Sequence, residues 1–275
     1  MGSMGNKGNR GAGPSDAGLR KAGPRSGTPR VVVVGLASCF GCQLQITNNE
    51  KHLLEVLGQF DLTYWQLLSS APMPEDFDVA IIEGAVTTEE SVQVLAELRA
   101  KAQVVIALGA CANTAGIPGI AAKGFCGRPA EVYSTLPSVC GDLIAPRSVT
   151  SVIEVDYQVP CCPIDPSEFL EVLSKAFYGS NRPLTEKTMC GDCKRNETGC
   201  FYPQQELCLG LVTRAGCGAR CVKVGRPCSG CRGISPEANL ASARESVVRY
   251  GLAAEGFDAA LELFNQTNPL LQGKD

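Results

Sequence analysis

The chain has 275 residues, of which 44% are hydrophobic, and a formal net charge of −3. A mean hydropathy of +0.03 is ordinary for a globular protein, and no apolar run approaches the roughly 18 residues that span a bilayer. The apolar segment of a secretory signal is also absent, so we expect a cytoplasmic protein without a membrane span. Disulfides are rare in that compartment, and fifteen cysteines therefore indicate metal or redox chemistry.

Residues 1–29 form the first segment, which is rich in Gly, Ser and Pro and carries mostly basic charges. It has no aromatic residue and no hydrophobic periodicity. These features predict a disordered basic leader rather than a segment that binds nucleic acid.

From residue 30 the sequence alternates between strand and helix signals. Residues 30–36 (RVVVVGL) are largely apolar and β-branched, as expected for a strand buried on both faces of a parallel sheet. Thr87 and Glu90 form a capping-box pattern ahead of an apolar stripe, which predicts a helix. The complete predicted order is strand 30–36, helix 44–58, strands 62–67 and 79–82, helix 87–102, strands 104–108 and 152–155, and helix 167–177. This order predicts an α/β fold with a flavodoxin-like, doubly wound parallel sheet over residues 30–180.

The next segment, residues 181–235, is rich in Cys, Gly and Pro and poor in large aliphatic side chains. Such a segment buries too little apolar surface to offset its own chain entropy, so we expect bound metal to supply part of its folding energy. Residues 236–275 have helical patterning and predict a C-terminal helical extension that packs on the body of the protein.

Four cysteines are far apart in sequence, but each follows a predicted strand: Cys39, Cys42, Cys111 and Cys162. Because ligands bind beyond the carboxyl ends of the strands in an open α/β sheet, we expect these thiols to share one site at that edge. The first pair also has the C-x-x-C spacing of a thioredoxin-type redox pair, and a single cysteine is often a small buried apolar residue. Neither alternative gives all four cysteines a role, which favours an iron–sulfur site.

Two assignments at this edge remain to be made. Cys161 and Cys162 are adjacent, and we choose Cys162 as the ligand because Cys-Pro recurs at iron–sulfur ligands. Glu83 follows the third strand and should face the same crevice, either as a helix-capping or solvated carboxylate or as a group that tunes or orders the cluster. The cysteines left without a role are Cys126, Cys140 and Cys161.

Eight further cysteines are concentrated in a short stretch that begins and ends with a C-x-x-C pair. They are Cys190, Cys193, Cys200, Cys208, Cys217, Cys221, Cys228 and Cys231. Eight thiols are enough for two four-cysteine iron–sulfur clusters. Zinc ribbons use the same paired motifs, so the spacing alone leaves zinc open.

The motifs of the sheet region resemble those of the small subunit of [NiFe]-hydrogenases. The similar stretches are GLASCFGCQLQITNNE at 35–50, IIEGAV at 81–86, GACA at 109–112 and VPCCPI at 159–164. The resemblance implies that the four dispersed cysteines hold the proximal [4Fe–4S] cluster, next to the nickel–iron site of a large subunit. The last motif of that family normally reads Gly-Cys-Pro-Pro, whereas this chain has Cys161 and Ile164 at the outer two positions.

The Cys-rich motifs are similar to those of cytoplasmic, multimeric [NiFe]-hydrogenases of the sulfhydrogenase delta and viologen-reducing types. They read CGDCKRNETGC at 190–200, CLGLVTRAGCGARC at 208–221 and RPCSGCRG at 226–233. The resemblance implies a distal cluster on the first four of the eight cysteines, a medial cluster on the last four, and three [4Fe–4S] clusters in all. It also implies an electron-transfer subunit whose partners are the hydrogenase large subunit and flavin or iron–sulfur acceptor subunits, with a flavoprotein that reduces NAD(P) as the expected acceptor.

Two alternatives stay open. A quinone-site iron–sulfur subunit like that of respiratory complex I shares the proximal region, but that family has adjacent cysteines in its first motif and no eight-cysteine tail. A zinc-stabilised interaction module without catalysis is the second alternative. The sequence has no nucleotide-binding glycine motif, so we expect no nucleotide or flavin on this chain, and a single histidine, His52, cannot build a histidine-rich metal site.

Overall fold

The computed structural model describes residues 27–49, 58–124, 131, 133–135, 141–180 and 184–272. The predictions for most of the leader, for His52 and for Cys126 and Cys140 concern residues outside these ranges. The other thirteen cysteines are described, and each is a free thiol.

The strands of the described residues form two sheets. They are β1 (Arg30–Gly35), β2 (Asp61–Trp65), β3 (Val79–Glu83), β4 (Val86–Thr88), β5 (Val104–Leu108), β6 (Leu143–Arg147) and β7 (Tyr157–Val159). The central sheet has the order β2-β1-β3-β5-β7, and all neighbouring strands in it are parallel. The chain order reverses between β1 and β3, as it does in flavodoxin-like sheets, so the predicted parallel α/β sheet is confirmed.

Apolar side chains cover both faces of the central sheet because successive residues of a strand point to opposite sides. The helices beside it are α1 (Gly41–Thr47), α2 (Glu89–Lys101), α3 (Gly109–Thr114) and α4 (Pro166–Tyr178). On one face Val33 and Ile81 join a core with Phe169 of α4. On the other face Val32 packs in a core with Leu95 of α2. A sheet that is buried on both faces explains why the strands read as continuous apolar runs.

The strand predicted at 152–155 is wrong. Val149–Ser151 form a 3-10 turn, and the last strand of the sheet is β7, a few residues further on. The apolar side chains of 152–155 are half-buried and pack against the core beneath α2, so this run covers the core as a loop. Asp156 fixes the entry into β7, because its carboxylate accepts a hydrogen bond from the Val105 N–H at 2.7 Å.

The predicted start of α2 is also corrected. The N-cap residue is Thr88, whose hydroxyl accepts a hydrogen bond from the Ser91 N–H at 3.1 Å. Thr87 belongs to β4 instead, so the capping-box pattern that starts there does not form the cap. The helix predicted at 44–58 is also corrected: it begins earlier, at Gly41, and ends at Thr47 with Asn48 as its C-cap, and residues 50–57 lie outside the described residues.

The rest of the described chain combines loops with short helices. The helices are α5 (Met189–Arg195), α6 (Arg220–Lys223), α7 (Leu240–Arg249), α8 (Ala254–Asn265) and α9 (Pro269–Gln272). Phe257 and Leu261 of α8 share a core with Leu209 and Val212, so the C-terminal helices cover the Cys-rich segment. Among the described residues no helix has both the length and the apolar character needed to cross a membrane.

Candidate metal centres

The proximal group is the set of thiols at the edge of the central sheet: Cys39, Cys42, Cys111 and Cys162. Cys39 and Cys42 follow β1, and Cys42 lies in the first turn of α1. Cys111 lies in α3, directly after β5, and Cys162 follows β7. Parallel pairing therefore brings the carboxyl ends that carry these cysteines to one edge of the sheet.

The thiols of the proximal group influence one another electrostatically. Burial raises the pKa of Cys162 to about 11, and the neighbouring Cys111 and Cys39 add to the effect. Burial likewise raises the pKa of Cys111 to about 11. The pKa of Cys42 is raised well above its ordinary range, first by burial and then by Glu83. Raised pKa values favour the protonated thiols in the absence of metal. A bound metal would favour the thiolates instead, because metal ligation stabilises them and releases their protons.

Gly109 gives Cys42 the space that it needs. Its φ of 82° lies in the left-handed region that favours glycine. A β-carbon at this position would overlap the sulfur of Cys42. Glycine at the start of α3 is therefore required both by the backbone and by the close approach of the thiol.

Glu83 is buried at the end of β3 and faces the first turn of α1. Its carboxylate accepts hydrogen bonds from the Cys42 N–H at 3.1 Å and from the Gln43 N–H at 3.3 Å. The side chain is thus a buried cap of the segment that carries Cys42, not a solvated carboxylate. An influence of Glu83 on the proximal cluster itself stays a prediction.

We expect Glu83→Ala to lower the free energy of unfolding by about 1–3 kcal/mol for each of the two N–H groups that it leaves without an acceptor. Glu83→Gln should cost roughly half as much, since its amide keeps one acceptor oxygen. Thermal melting of the anaerobically purified complex measures the difference. Glu97→Ala is the matched control, because Glu97 is an exposed carboxylate on α2 and should shift stability by no more than about 0.5 kcal/mol. Equal melting temperatures for the Glu83 and Glu97 variants would show that the cap contributes nothing.

The distal group is Cys190, Cys193, Cys200 and Cys208, and its first two members lie on α5. Burial raises the pKa of Cys190 to about 11, with further contributions from the other three thiols. Gly210 lies between two members of the group, since a β-carbon there would be 3.6 Å from both Cys190 Sγ and Cys208 Sγ. The fold thus gathers these thiols although they span nineteen positions of an irregular segment.

The medial group is Cys217, Cys221, Cys228 and Cys231, and all four line one cavity of about 160 Å³. A single water molecule needs roughly 10–15 Å³ by the same measure, so the cavity can hold a much larger group. Burial raises the pKa of Cys228 to about 12. The cavity and its thiol-only donor set fit an iron–sulfur cluster. Among the described side chains, no group of three or more His, Cys, Asp or Glu residues is arranged to hold a single metal ion.

Two contacts connect the three groups. Cys162 of the proximal group lines the medial cavity together with the adjacent Cys161. At the other side, the Cys228 N–H donates a hydrogen bond to Cys208 Sγ at 3.2 Å. The medial group therefore adjoins both the proximal and the distal group.

Sequence reasoning missed two features of this region. It gives Cys161 no role, although this residue lies in the medial cavity; its replacement of the family's usual glycine is the available signal. Arg232 and Glu168 form a buried ion pair with N–O distances of 2.5 and 2.7 Å. No local pattern marks this pair, because its members are 64 positions apart.

Known proteins are similar to this chain in both sequence and fold. The family model for the 20 Kd subunit of NADH ubiquinone oxidoreductase matches residues 39–176, from the first proximal cysteine into α4. A subunit of the F420-non-reducing hydrogenase vhu of Methanocaldococcus jannaschii is 32% identical over 270 residues, covering 85% of this chain and 90% of the relative. The sulfhydrogenase 2 subunit delta of Pyrococcus furiosus is 32% identical over 214 residues, covering 76% and 87%.

A further relative and two solved structures agree. The NAD-reducing hydrogenase HoxS subunit delta of Cupriavidus necator is 28% identical over 181 residues, covering 60% of this chain and 86% of the relative. A chain of an NAD+-reducing [NiFe]-hydrogenase in the H2-reduced state superposes with a TM-score of 0.51 at 24% identity, covering 57% and 96%. A chain of the actinobacterial-type NiFe-hydrogenase from Ralstonia eutropha H16 gives a TM-score of 0.52 at 18% identity and covers 90% of each. At these identities the structures establish the fold.

The sheet, the thiols at its edge and the sequence matches define the class: this is an oxidoreductase subunit of a multi-subunit hydrogenase. The chain belongs to the family of the 20 Kd subunit of NADH ubiquinone oxidoreductase, as a member similar to hydrogenase small subunits. The resemblance found in the sequence motifs is therefore confirmed.

Proposed function

We propose that the chain is the electron-transfer subunit of a [NiFe]-hydrogenase. It connects the nickel–iron site of a partner large subunit, where H2 is oxidised, to a soluble acceptor module, reversibly in principle. The observation that carries this proposal is the arrangement of twelve cysteines in three successive groups of four thiols. A relative named as NAD-reducing supports a flavoprotein that reduces NAD(P) as the acceptor.

The proximal, medial and distal groups would each hold one [4Fe–4S] cluster, which supplies one-electron redox chemistry when bound. The proximal thiols belong to the sheet domain, residues 30–180, and the other eight to a cluster domain, residues 181–235. The chain supplies the levers that set the potentials, namely hydrogen bonds to sulfur, burial and nearby charge. Residues 236–275 would cover the cluster domain from the outside.

The proximal edge has the surface expected for contact with a large subunit. Leu44 of α1 is 52% exposed, and Ile117, a few residues beyond Cys111, is 46% exposed. Exposed apolar side chains around a functional site are typical of a protein–protein interface. Electrons that enter at this edge would leave through the distal group, where Cys200 is exposed.

Iron and acid-labile sulfide analysis tests the proposal. We expect about twelve irons and twelve sulfides per copy of this chain in the anaerobically purified complex, together with a nickel-containing large subunit. A zinc-stabilised interaction module would instead contain zinc and no sulfide. That result would rule out the hydrogenase function.

A further inference from the structure

The medial cavity is lined by six cysteines, although a [4Fe–4S] cluster needs only four. Two of the six, Cys161 and Cys162, come from the loop after β7 and not from the Cys-rich segment. The side chain of Cys161 is buried, with 3% of the residue exposed. Its sulfur lies 3.6 Å from the sulfur of Cys231. The Cys161 thiol thus faces the medial group, whereas the Cys162 thiol interacts electrostatically with Cys111 and Cys39 of the proximal group.

The backbone at Cys161 shows that this position is unusual for a side chain. Its φ is 113°, in the region that favours glycine. A cysteine here accepts backbone strain that glycine would avoid, and strain of this kind often marks a functional position. The strained backbone places the thiol against Cys231, so the side chain has a specific neighbour that a glycine would not provide.

Arg220 determines how the Cys161 thiol is oriented. Its Nη2 donates to Cys161 Sγ at 3.5 Å and to the Pro163 carbonyl at 3.3 Å. The guanidinium also faces the Asp165 carboxylate at 3.6 Å. Because the sulfur of Cys161 accepts from Arg220, its own S–H is free to point at Cys231.

We propose that Cys161 is a positioning residue of the medial centre, which donates its S–H to the sulfur of Cys231 and thereby raises the reduction potential of that centre. A metal-bound Cys231 has lost its proton, so the hydrogen between the two sulfurs belongs to Cys161. A hydrogen bond to a ligand sulfur favours the more negative, reduced state. The inference rests on the proposed function, since it requires a cluster in the medial cavity.

The test compares Cys161→Gly with Cys161→Ser in the anaerobically purified complex. Glycine removes the donor and suits the observed φ, whereas serine keeps an O–H at the same place. We expect a three- to tenfold fall in the equilibrium constant for reduction of one cluster in Cys161→Gly, which is about 30–60 mV for a one-electron couple. The potentials of the other two clusters should stay unchanged, and Cys161→Ser should retain most of the wild-type value. Redox titration followed by electron paramagnetic resonance measures all three.

Three outcomes would overturn the inference. Unchanged potentials in Cys161→Gly would show that the thiol has no electrostatic role, and a shift confined to the cluster next to Cys162 would place it at the wrong centre. A loss of about four irons per chain would make Cys161 a ligand. If Cys161→Gly does not assemble, Cys161→Ala against Cys161→Ser makes the same comparison on an unchanged backbone. Wild-type protein without iron or sulfide would refute the proposed function, and so the two failures are distinguishable.

Discussion

Replacing Arg232 by methionine is expected to lower the free energy of unfolding by about 3–5 kcal/mol, the usual cost of breaking a buried ion pair. The Arg232 side chain is fully buried, and that of Glu168 is only 12% exposed. Both terminal nitrogens of the guanidinium donate to the Glu168 carboxylate, and Nε donates to the Ala215 carbonyl at 3.0 Å. The variant leaves a carboxylate in the interior without its counter-charge.

The position of this ion pair predicts which part of the chain loses its structure in the variant. Glu168 lies on α4 of the sheet domain, whereas Arg232 directly follows Cys231 of the medial group. Losing the pair should therefore detach the cluster domain first. We expect Arg232→Met to lose medial and distal iron while about four proximal irons remain. Iron analysis and the melting temperature of the complex, which should fall by about 2–4 °C per kcal/mol, measure the two effects.

Two controls make this result specific. Arg244→Met removes an ion pair with Asp258 whose side chains are 47% and 51% exposed, and it should cost no more than about 1 kcal/mol. The double variant Arg232→Met with Glu168→Met should recover most of the loss, because apolar side chains of similar volume can replace a buried pair. Equal stability of the Arg232 and Arg244 single variants would contradict the prediction.

The sequence was sufficient to predict the sheet because a parallel strand buried on both faces requires an apolar run. Val31–Val34 and Val104–Leu108 are such runs, and both are strands of the central sheet. Ligands of an open α/β sheet bind beyond the carboxyl ends of its strands, so the predicted strands also placed Cys39, Cys111 and Cys162 at one edge. The structure places all three directly beyond strand ends.

Periodicity could not identify the last strand. Residues 152–155 and Tyr157–Val159 are both short and apolar, and runs of three or four residues carry too little pattern to separate a strand from a covering loop. The structure depends here on a distant contact, the hydrogen bond from the Val105 N–H to the Asp156 carboxylate. A contact between residues 51 positions apart has no local signal in a single sequence.

The sequence could not predict the directions in which the adjacent side chains of Cys161 and Cys162 point either. The sequence shows Cys161 and Cys162 as two equivalent neighbours, and only the Cys-Pro pair favoured the second as a ligand. The left-handed φ of Cys161 decides which way each thiol points. The Cys161 sulfur also accepts a hydrogen bond from Arg220 of the Cys-rich segment, and a contact between residues 59 positions apart has no local signal in the sequence.

The second prediction with a large expected effect concerns the distal group. We expect Cys208→Ala to lower the iron content by about four per chain and to abolish the H2-dependent reduction of the soluble acceptor. The half-buried Cys208 is the point where the distal group meets the medial group, since its sulfur accepts a hydrogen bond from the Cys228 N–H at 3.2 Å. The nickel–iron site belongs to a different subunit under the proposed function. The large subunit should therefore still catalyse isotope exchange between H2 and deuterated water in the variant, although electrons no longer reach the acceptor.

Cys126→Ala is the matched control, because Cys126 is outside the twelve predicted ligands and its loss should leave iron content and acceptor reduction unchanged. The two activities distinguish loss of the distal cluster from misfolding. A misfolded complex loses isotope exchange of H2 as well as acceptor reduction, whereas a complex that lacks only the distal cluster loses acceptor reduction alone. Full iron content in Cys208→Ala would remove Cys208 from the ligand set. Undiminished acceptor reduction with four irons missing would show instead that electrons leave the chain before the distal group, and the medial thiols would then be the exit.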